Sequence, residues 1–170
     1  MTPQNRMGST VNFQNSYLIV FAALVLSLGA CDKSTCYNES SALEGAVWEE
    51  TDTLMASFQV TDSQHYHNIF VLARFNSLYP YSNIYFKVML TGPKGMKMTE
   101  IKSFDITDKS GKWLGGGFGD LHSYELPIFM DLALKQFGKY KVKVVPYMRK
   151  ESLEGIHNHG IKVSKGKEIF

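Results

Sequence analysis

Cysteine is scarce in this chain of 170 residues: only Cys31 and Cys36 are present. Two thiols cannot staple a small scaffold, so the fold must rest on an apolar core. A membrane-spanning run is also missing. The one strongly apolar stretch, beginning at Tyr17, is about twelve residues long, against about twenty for a helix that crosses a bilayer. Asn12, Gln14, Asn15 and Ser16 block its extension toward the N-terminus. Neither sign of charge dominates, with 18 Lys and Arg against 16 Asp and Glu, so nothing calls for a nucleic-acid partner. Internal repeats, low-complexity tracts and long helical patterns are lacking; Met130 to Gln136 alone suggests one or two helical turns. No G-x-S-x-G elbow occurs, nor a Cys–His arrangement suited to a nucleophile, which argues against an enzyme.

What is present begins with a segment unlike the rest. Arg6 is the only charge before Asp32, and the apolar run Tyr17–Leu26 leads into Ser27-Leu28-Gly29-Ala30-Cys31. A basic start, a short apolar stretch and small residues before a cut mark a secretory signal. A cysteine directly after Leu28-Gly29-Ala30 resembles the lipobox of bacterial lipoproteins, whose thiol takes a diacylglycerol before cleavage. Residues 1–30 are therefore expected to be a signal peptide, and Cys31 the lipidation site. Two or more acyl chains, at about 0.8 kcal/mol per buried methylene, anchor stably where one chain is marginal. With Cys31 alkylated, Cys36 has no intramolecular partner and can be free, capped or paired between molecules.

Residues 31–43 are polar and turn-prone, as expected of a lipidated tether, and residues 44–170 read as one domain. Within it Leu54, Ala56, Phe58 and Val60 alternate with exposed-type residues, the period-two signal of a half-buried strand. Asn68 to Phe75 is a more continuous apolar run, as expected of a strand buried deeper in a sheet. Tyr81 to Thr91, the turn Gly92-Pro93-Lys94-Gly95, and Met96 to Ile106 predict a hairpin, with Met96, Met98 and Ile101 as candidate inward residues. Tyr140, Val142 and Val144 share one face of a further strand, with lysines 139, 141 and 143 on the other; Gly160 to Ser164 reads as the last strand. Short strands between turn signals at this spacing predict an all-β, two-layer antiparallel β-sandwich, Ig-like or jelly-roll-like. Phe58, Phe70, Leu72, Val88, Tyr140 and Val142 are its expected core.

Several clusters imitate functional sites. The loop Gly111 to Gly119 is glycine-rich, but a phosphate cradle must open a helix, and Asp120 to Pro127 makes no convincing one. A tight connection with positive φ at several glycines, and Trp113 packed beneath it, is the simpler expectation. His65 and His67, with His157 and His159, form two H-x-H pairs that could face one zinc ion. No acidic or cysteine ligand supports them, and both pairs border polar segments where histidines are solvated. Asp105, Asp108 and Asp120 do not fit an EF-hand: Lys109 interrupts the ligand positions and no closing Glu follows. No catalytic, metal or cofactor residues are thus expected, beyond covalent lipid on Cys31.

The segment Asp108-Lys109-Ser110-Gly111-Lys112-Trp113-Leu114-Gly115-Gly116-Gly117-Phe118-Gly119-Asp120 resembles the central signature of the gliding-motility lipoprotein H family of the Bacteroidetes. The likeness continues through Phe137-Gly138-Lys139-Tyr140, Tyr147-Met148-Arg149, Leu153-Glu154-Gly155-Ile156 and Gly160-Ile161. It reaches back to Tyr81-Ser82-Asn83 and the Gly92–Gly95 turn. It departs at His157-Asn158-His159, where the family more usually has an acidic and an aliphatic residue. The resemblance implies a membrane-anchored envelope lipoprotein needed for gliding and linked to type IX secretion, working as a non-enzymatic assembly or binding component. Its partners would be the membrane and other gliding or secretion envelope proteins, with no small-molecule substrate. Gly111, Trp113, Leu114, Gly115, Gly117, Phe118, Gly119, Asp120, Met148 and Arg149 are motif residues with expected structural roles. No run of acids follows Cys31 to mark surface export, so an outer-membrane position facing the periplasm is expected. The alternative is a carbohydrate- or peptidoglycan-binding β-sandwich, with an exposed Trp113 and the tyrosines as its stacking surface.

Overall fold

The computed structural model describes residues 34–169, which lie in one compact unit, Lys33–Phe170. Cys31, the expected signal peptide and the first residues of the expected tether lie outside the described residues. Eleven strands follow in order: β1 (Thr35–Ala42), β2 (Val47–Glu49), β3 (Leu54–Val60), β4 (His65–Phe75), β5 (Asn83–Thr91), β6 (Lys97–Asp105), β7 (Gly116–Phe118), β8 (Leu121–Leu132), β9 (Gly138–Pro146), β10 (Ser152–Glu154) and β11 (Ile156–Glu168). They form a five-stranded sheet, β1-β11-β4-β8-β7, and a four-stranded sheet, β3-β9-β5-β6, with a short β2–β10 ribbon. Every pairing is antiparallel, and the two sheets make the layers of a β-sandwich.

Alternation fixes which side of each strand turns inward. From the four-stranded sheet Phe58, Val88, Tyr140 and Val142 enter the core as expected, joined by Ile84, Phe86 and Leu90. Ile69, Val71, Phe75, Tyr124, Leu126, Ile161 and Val163 meet them from the five-stranded sheet. Trp48 is fully buried, tilted against Phe86 at 5.6 Å, and its Nε1 donates to the Asp52 carbonyl at 2.9 Å. The buried core is drawn from residues 48–163, within the compact unit Lys33–Phe170.

Four expectations change. The tether is shorter than residues 31–43, because Thr35–Ala42 is an edge strand paired with β11 from Thr35↔Ser164 to Ala42↔Asn158. An edge strand overhanging the core needs no apolar alternation, so its polar sequence does not betray it. Phe70 and Leu72 are not core residues, nor is Ile101, which β6 turns outward. β4 alternates like the other strands, sending Ile69, Val71, Ala73 and Phe75 inward and Phe70 and Leu72 to the half-covered outer face. Phe70 is capped there by the Lys162 ammonium, 5.9 Å from the ring centroid. Met130 to Gln136 forms no helical turn: β8 runs on to Leu132 and irregular backbone follows. Pro127 is accommodated within β8 because the β4–β8 register slips beside it, a bulge of the kind strands use to admit proline.

The histidines are the fourth. All four lie in β4 or β11, and His67 and His159 are buried rather than solvated. His159 meets Trp48 edge-on at 4.7 Å, and neither buried ring has a hydrogen-bond partner for Nδ1. Burial pushes both imidazoles below their ordinary value, and the Lys165 ammonium adds to this at His67. Below the unfolded histidine value of about 6.5 the unfolded chain therefore binds more protons than the folded one. Stability should be full above about pH 6.5 and fall beneath it, by up to about 1.4 kcal/mol per pH unit for each histidine. Thermal melts from neutral to mildly acid pH would show this, and His159→Phe should flatten the slope. A melting temperature that does not fall on acidification would refute it.

Candidate functional site

Two neighbouring clefts collect side chains from distant parts of the chain. The larger, about 860 Å³, is lined by Tyr81, Tyr85, Tyr147, Met148, Arg149 and Lys150. It exists because residues 147–150 continue alongside the start of β5 after β9 ends. The Tyr147 N–H donates to the Tyr85 carbonyl at 2.8 Å, and the Tyr85 N–H donates to Met148 Sδ at 3.4 Å. Tyr147 remains 51% exposed and Tyr85 38%, so both rings are presented to solvent beside two cationic side chains. Tyr81 forms the wall between this cleft and a smaller one, about 340 Å³, bordered by Ser77, Pro80, Thr107, Gly111 and Trp113.

Tyr81 is held from behind. It packs edge-on against Tyr79 at 5.6 Å, and Tyr79 packs against Phe75 at 4.8 Å. The Tyr79 hydroxyl donates to the Asn83 carbonyl at 2.8 Å, and burial raises that phenol far above its ordinary value. The Ser82 carbonyl accepts from the Ile106 and Thr107 N–H groups at 2.7 and 3.1 Å, tying the loop before β5 to the segment after β6. Trp113 is half-buried and stacks flat on His122, with centroids 4.7 Å apart and planes 8° from parallel. It is neither a core residue nor a freely presented ring.

The aspartates of this region are spent on the backbone. Asp108 accepts from the Ser110 and Lys112 N–H groups at 2.8 and 3.0 Å and from the Ser110 hydroxyl at 2.6 Å. Those bonds hold its carboxyl below the usual carboxylate range. Asp120 accepts from the Ser77 N–H and hydroxyl at 3.0 and 2.9 Å, pinning the 76–80 loop to the β7–β8 hairpin. The two H-x-H pairs lie apart: His65 pairs opposite Glu168 at one end of the β4–β11 ladder, and His157 reaches Asn76 at the other. Among the described residues, no group of three His, Cys, Asp or Glu side chains could hold a metal ion. Cys36 is half-buried in β1, and burial pushes its thiol up, away from a reactive thiolate.

The motif residues divide by place. Met148 and Arg149 line the larger cleft, and Gly111 and Trp113 the smaller. Leu114 donates its N–H to the Ile106 carbonyl at 3.0 Å and leaves its side chain 58% exposed; Phe118, in β7, is 95% exposed. The glycines act otherwise than expected. Positive φ occurs at Gly111 (84°) and Gly119 (61°), but not at Gly115 or Gly117. Gly115 lies under the Tyr124 ring, where a Cβ would stand 2.5 Å from ring carbons. A Cβ on Gly117 would collide with the Leu121 carbonyl oxygen. Close approach, not backbone handedness, requires glycine at these two. Tyr85 and Lys150 are cleft residues that no sequence motif singled out; the outward phase of Tyr85 in β5 was the one available signal.

A family model described as GldH lipoprotein matches residues 35–163. A protein of Christiangramia forsetii named gliding motility lipoprotein GldH homolog is 28% identical over 155 residues, covering 87% of this chain and 94% of the relative. The gliding motility lipoprotein GldH of Flavobacterium johnsoniae is 28% identical over 162 residues, covering 91% and 99%. Among solved structures, the VP2 subviral particle of infectious bursal disease virus aligns with 79% of this chain and 34% of its own, at 17% identity and a TM-score of 0.36. That likeness is too slight to argue from.

Proposed function

Because this chain belongs to the GldH lipoprotein family, we propose that it is an envelope lipoprotein of the gliding apparatus, linked to type IX secretion and acting by binding rather than catalysis. In this reading the signal is cut before Cys31, the cysteine carries acyl chains including palmitate, and the domain faces the periplasm from the outer membrane. The observation that carries it is the convergence on Tyr81. Motif segments spread over some seventy residues of chain, Tyr81-Ser82, Gly111–Trp113 and Tyr147–Arg149, meet on one aromatic and basic surface. Tyrosine, methionine and arginine are residue types that supply binding energy at protein interfaces. Anchoring confines the domain to a layer beside other anchored components and raises its effective concentration, so a weak interface suffices.

The same cleft supports a second reading, a glycan site, because the Tyr85 and Tyr147 rings are exposed beside Arg149 and Lys150. One set of strains separates the two. A clean deletion should impair surface spreading, and export through type IX secretion where the host has it. Wild type should restore both, and a soluble form lacking Cys31 should restore them poorly despite normal folding. Tyr147→Ala with Arg149→Ala should also complement poorly at unchanged melting temperature. Normal spreading and export in the deletion strain would overturn the reading. Peptidoglycan binding by the pure domain that is lost in the double variant would favour the glycan site, and glycan cleavage would end the non-catalytic one.

A further inference from the structure

The outward face of the four-stranded sheet is a field of unpaired lysines. Cross-strand register places Lys143 between Met55 and Met89, Lys141 between Ser57 and Thr91, and Lys97 opposite Thr91. Lys87 lies between Val145 and Ile101, and Lys139 opposite Gln59. All five lysines are exposed. The one carboxylate of these strands on this face is Asp105, at the end of β6 opposite Asn83; Glu100 points to the other side, where it pairs with Lys102. None of the five lysines is in an ion pair among the described residues. On the opposite sheet, by contrast, Lys162 meets Glu125 at 3.0 Å and Lys165 meets Asp62 at 3.4 Å. Alternate residues of one strand stand about 7 Å apart, so lysines 139, 141 and 143 repel one another within a Debye length.

We propose that this face binds a membrane surface of anionic phospholipids, laying the four-stranded sheet flat against the headgroups. Three features favour a bilayer over other polyanions. The face is an open sheet, matched to a planar array of phosphates rather than to a single strand of polymer. Its lysines are interspersed with exposed apolar side chains, Met55 at 59% and Ile101 at 54%, which can enter the interface while the ammonium groups stay at phosphate depth. Thirdly, only Asp32 to Ser34 separate Cys31 from β1, an extended reach of about 14 Å. An anchored domain would therefore sit beside such a surface continuously. This third argument rests on the lipid anchor proposed above; the charge and the apolar tips do not.

Each lysine near an anionic surface contributes about 1 kcal/mol, so reversing two should weaken binding at least tenfold. The test is co-sedimentation of the unlipidated unit, residues 33–170, with vesicles of phosphatidylethanolamine containing phosphatidylglycerol, and with phosphatidylcholine vesicles. Absence of the lipid lets this proposal and the anchor fail separately. Binding should occur on the anionic vesicles alone and be lost in about 0.5 M salt, where the Debye length is only a few ångströms. Lys141→Glu with Lys143→Glu should abolish it. Arg74→Glu with Lys167→Glu, on strands of the other sheet, makes the same change in net charge and should leave most of it. Met55→Ser with Ile101→Ser should weaken binding severalfold without changing its salt dependence. No binding to anionic vesicles, equal binding to neutral ones, or equal loss in both charge-reversed pairs would overturn the proposal. Binding to polygalacturonate but not to anionic vesicles would reassign the face to an acidic polysaccharide.

Discussion

Gly115→Val should lower the stability of the domain by roughly 3–5 kcal/mol, while Gly116→Ala, one residue along, should change it by no more than about 0.5 kcal/mol. The difference follows from what a Cβ would meet. At Gly115 it would stand 2.5 Å from the Tyr124 ring and 2.7 Å from the Ser123 carbonyl oxygen, and at Gly116 it would meet nothing within 4 Å. Tyr124 has no room to retreat: its ring packs edge-on against Phe75 at 5.3 Å, and its hydroxyl donates to the Ile106 carbonyl at 2.6 Å. Overpacking alone costs about 1–3 kcal/mol, and displacing the ring also strips a buried hydrogen bond. Tyr124→Phe isolates that last part and should cost only about 1 kcal/mol. Chemical denaturation of the four proteins checks the series. Gly115→Val at full stability, with loss of affinity for a nucleotide or sugar, would make the loop a ligand site and reject the packing account.

Under the proposed anchor, Cys31→Ser should abolish lipidation altogether and leave the precursor uncut, because the thiol would be the acyl acceptor and cleavage would follow its modification. The change in membrane affinity is of a different order from any side-chain effect in the folded domain. Even one myristoyl-length chain gives a membrane association constant of about 10⁴ M⁻¹, and two or more make release negligible. Labelling with a clickable fatty acid, followed by electrophoresis for precursor size, measures both outcomes. Cys36→Ser is the matched control. That thiol is half-buried in β1 and raised by burial, so its replacement should leave labelling intact. Labelling that persists in Cys31→Ser, or disappears in Cys36→Ser, would reject the anchor at Cys31.

Strands with one solvated face were legible from sequence. β3 and β9 show period-two alternation, and the β5–β6 hairpin announces its turn through Gly92-Pro93-Lys94-Gly95. Phe58, Tyr140 and Val142 followed from phase alone. Phe70 and Leu72 did not, since an apolar run reads as buried on both faces when its outward members are only half covered. β1 was hidden because edge position frees it from alternation, and β8 because Pro127 falls at a bulge. The cleft was invisible for a topological reason. Tyr85 and Tyr147 are neighbours only through the β5–β9 register, and no local pattern encodes a pairing across sixty residues. The lysine face was half visible: lysines 139, 141 and 143 showed their common phase, but Lys87 and Lys97 join them only once β5 and β6 take their places.

The position of β1 also has a mechanical consequence. If Cys31 is held in the membrane while the domain is pulled by its partners, the load enters the fold at Thr35, the first residue of the edge strand. β1 is fastened to β11 by a ladder running from Thr35↔Ser164 to Ala42↔Asn158. Traction along the strand axis shears that ladder, so its hydrogen bonds share the force and must yield together. Traction across the axis peels them from Thr35 onward, one pair at a time. A surface-crawling cell would then find the same protein strong in one pulling direction and weak in another.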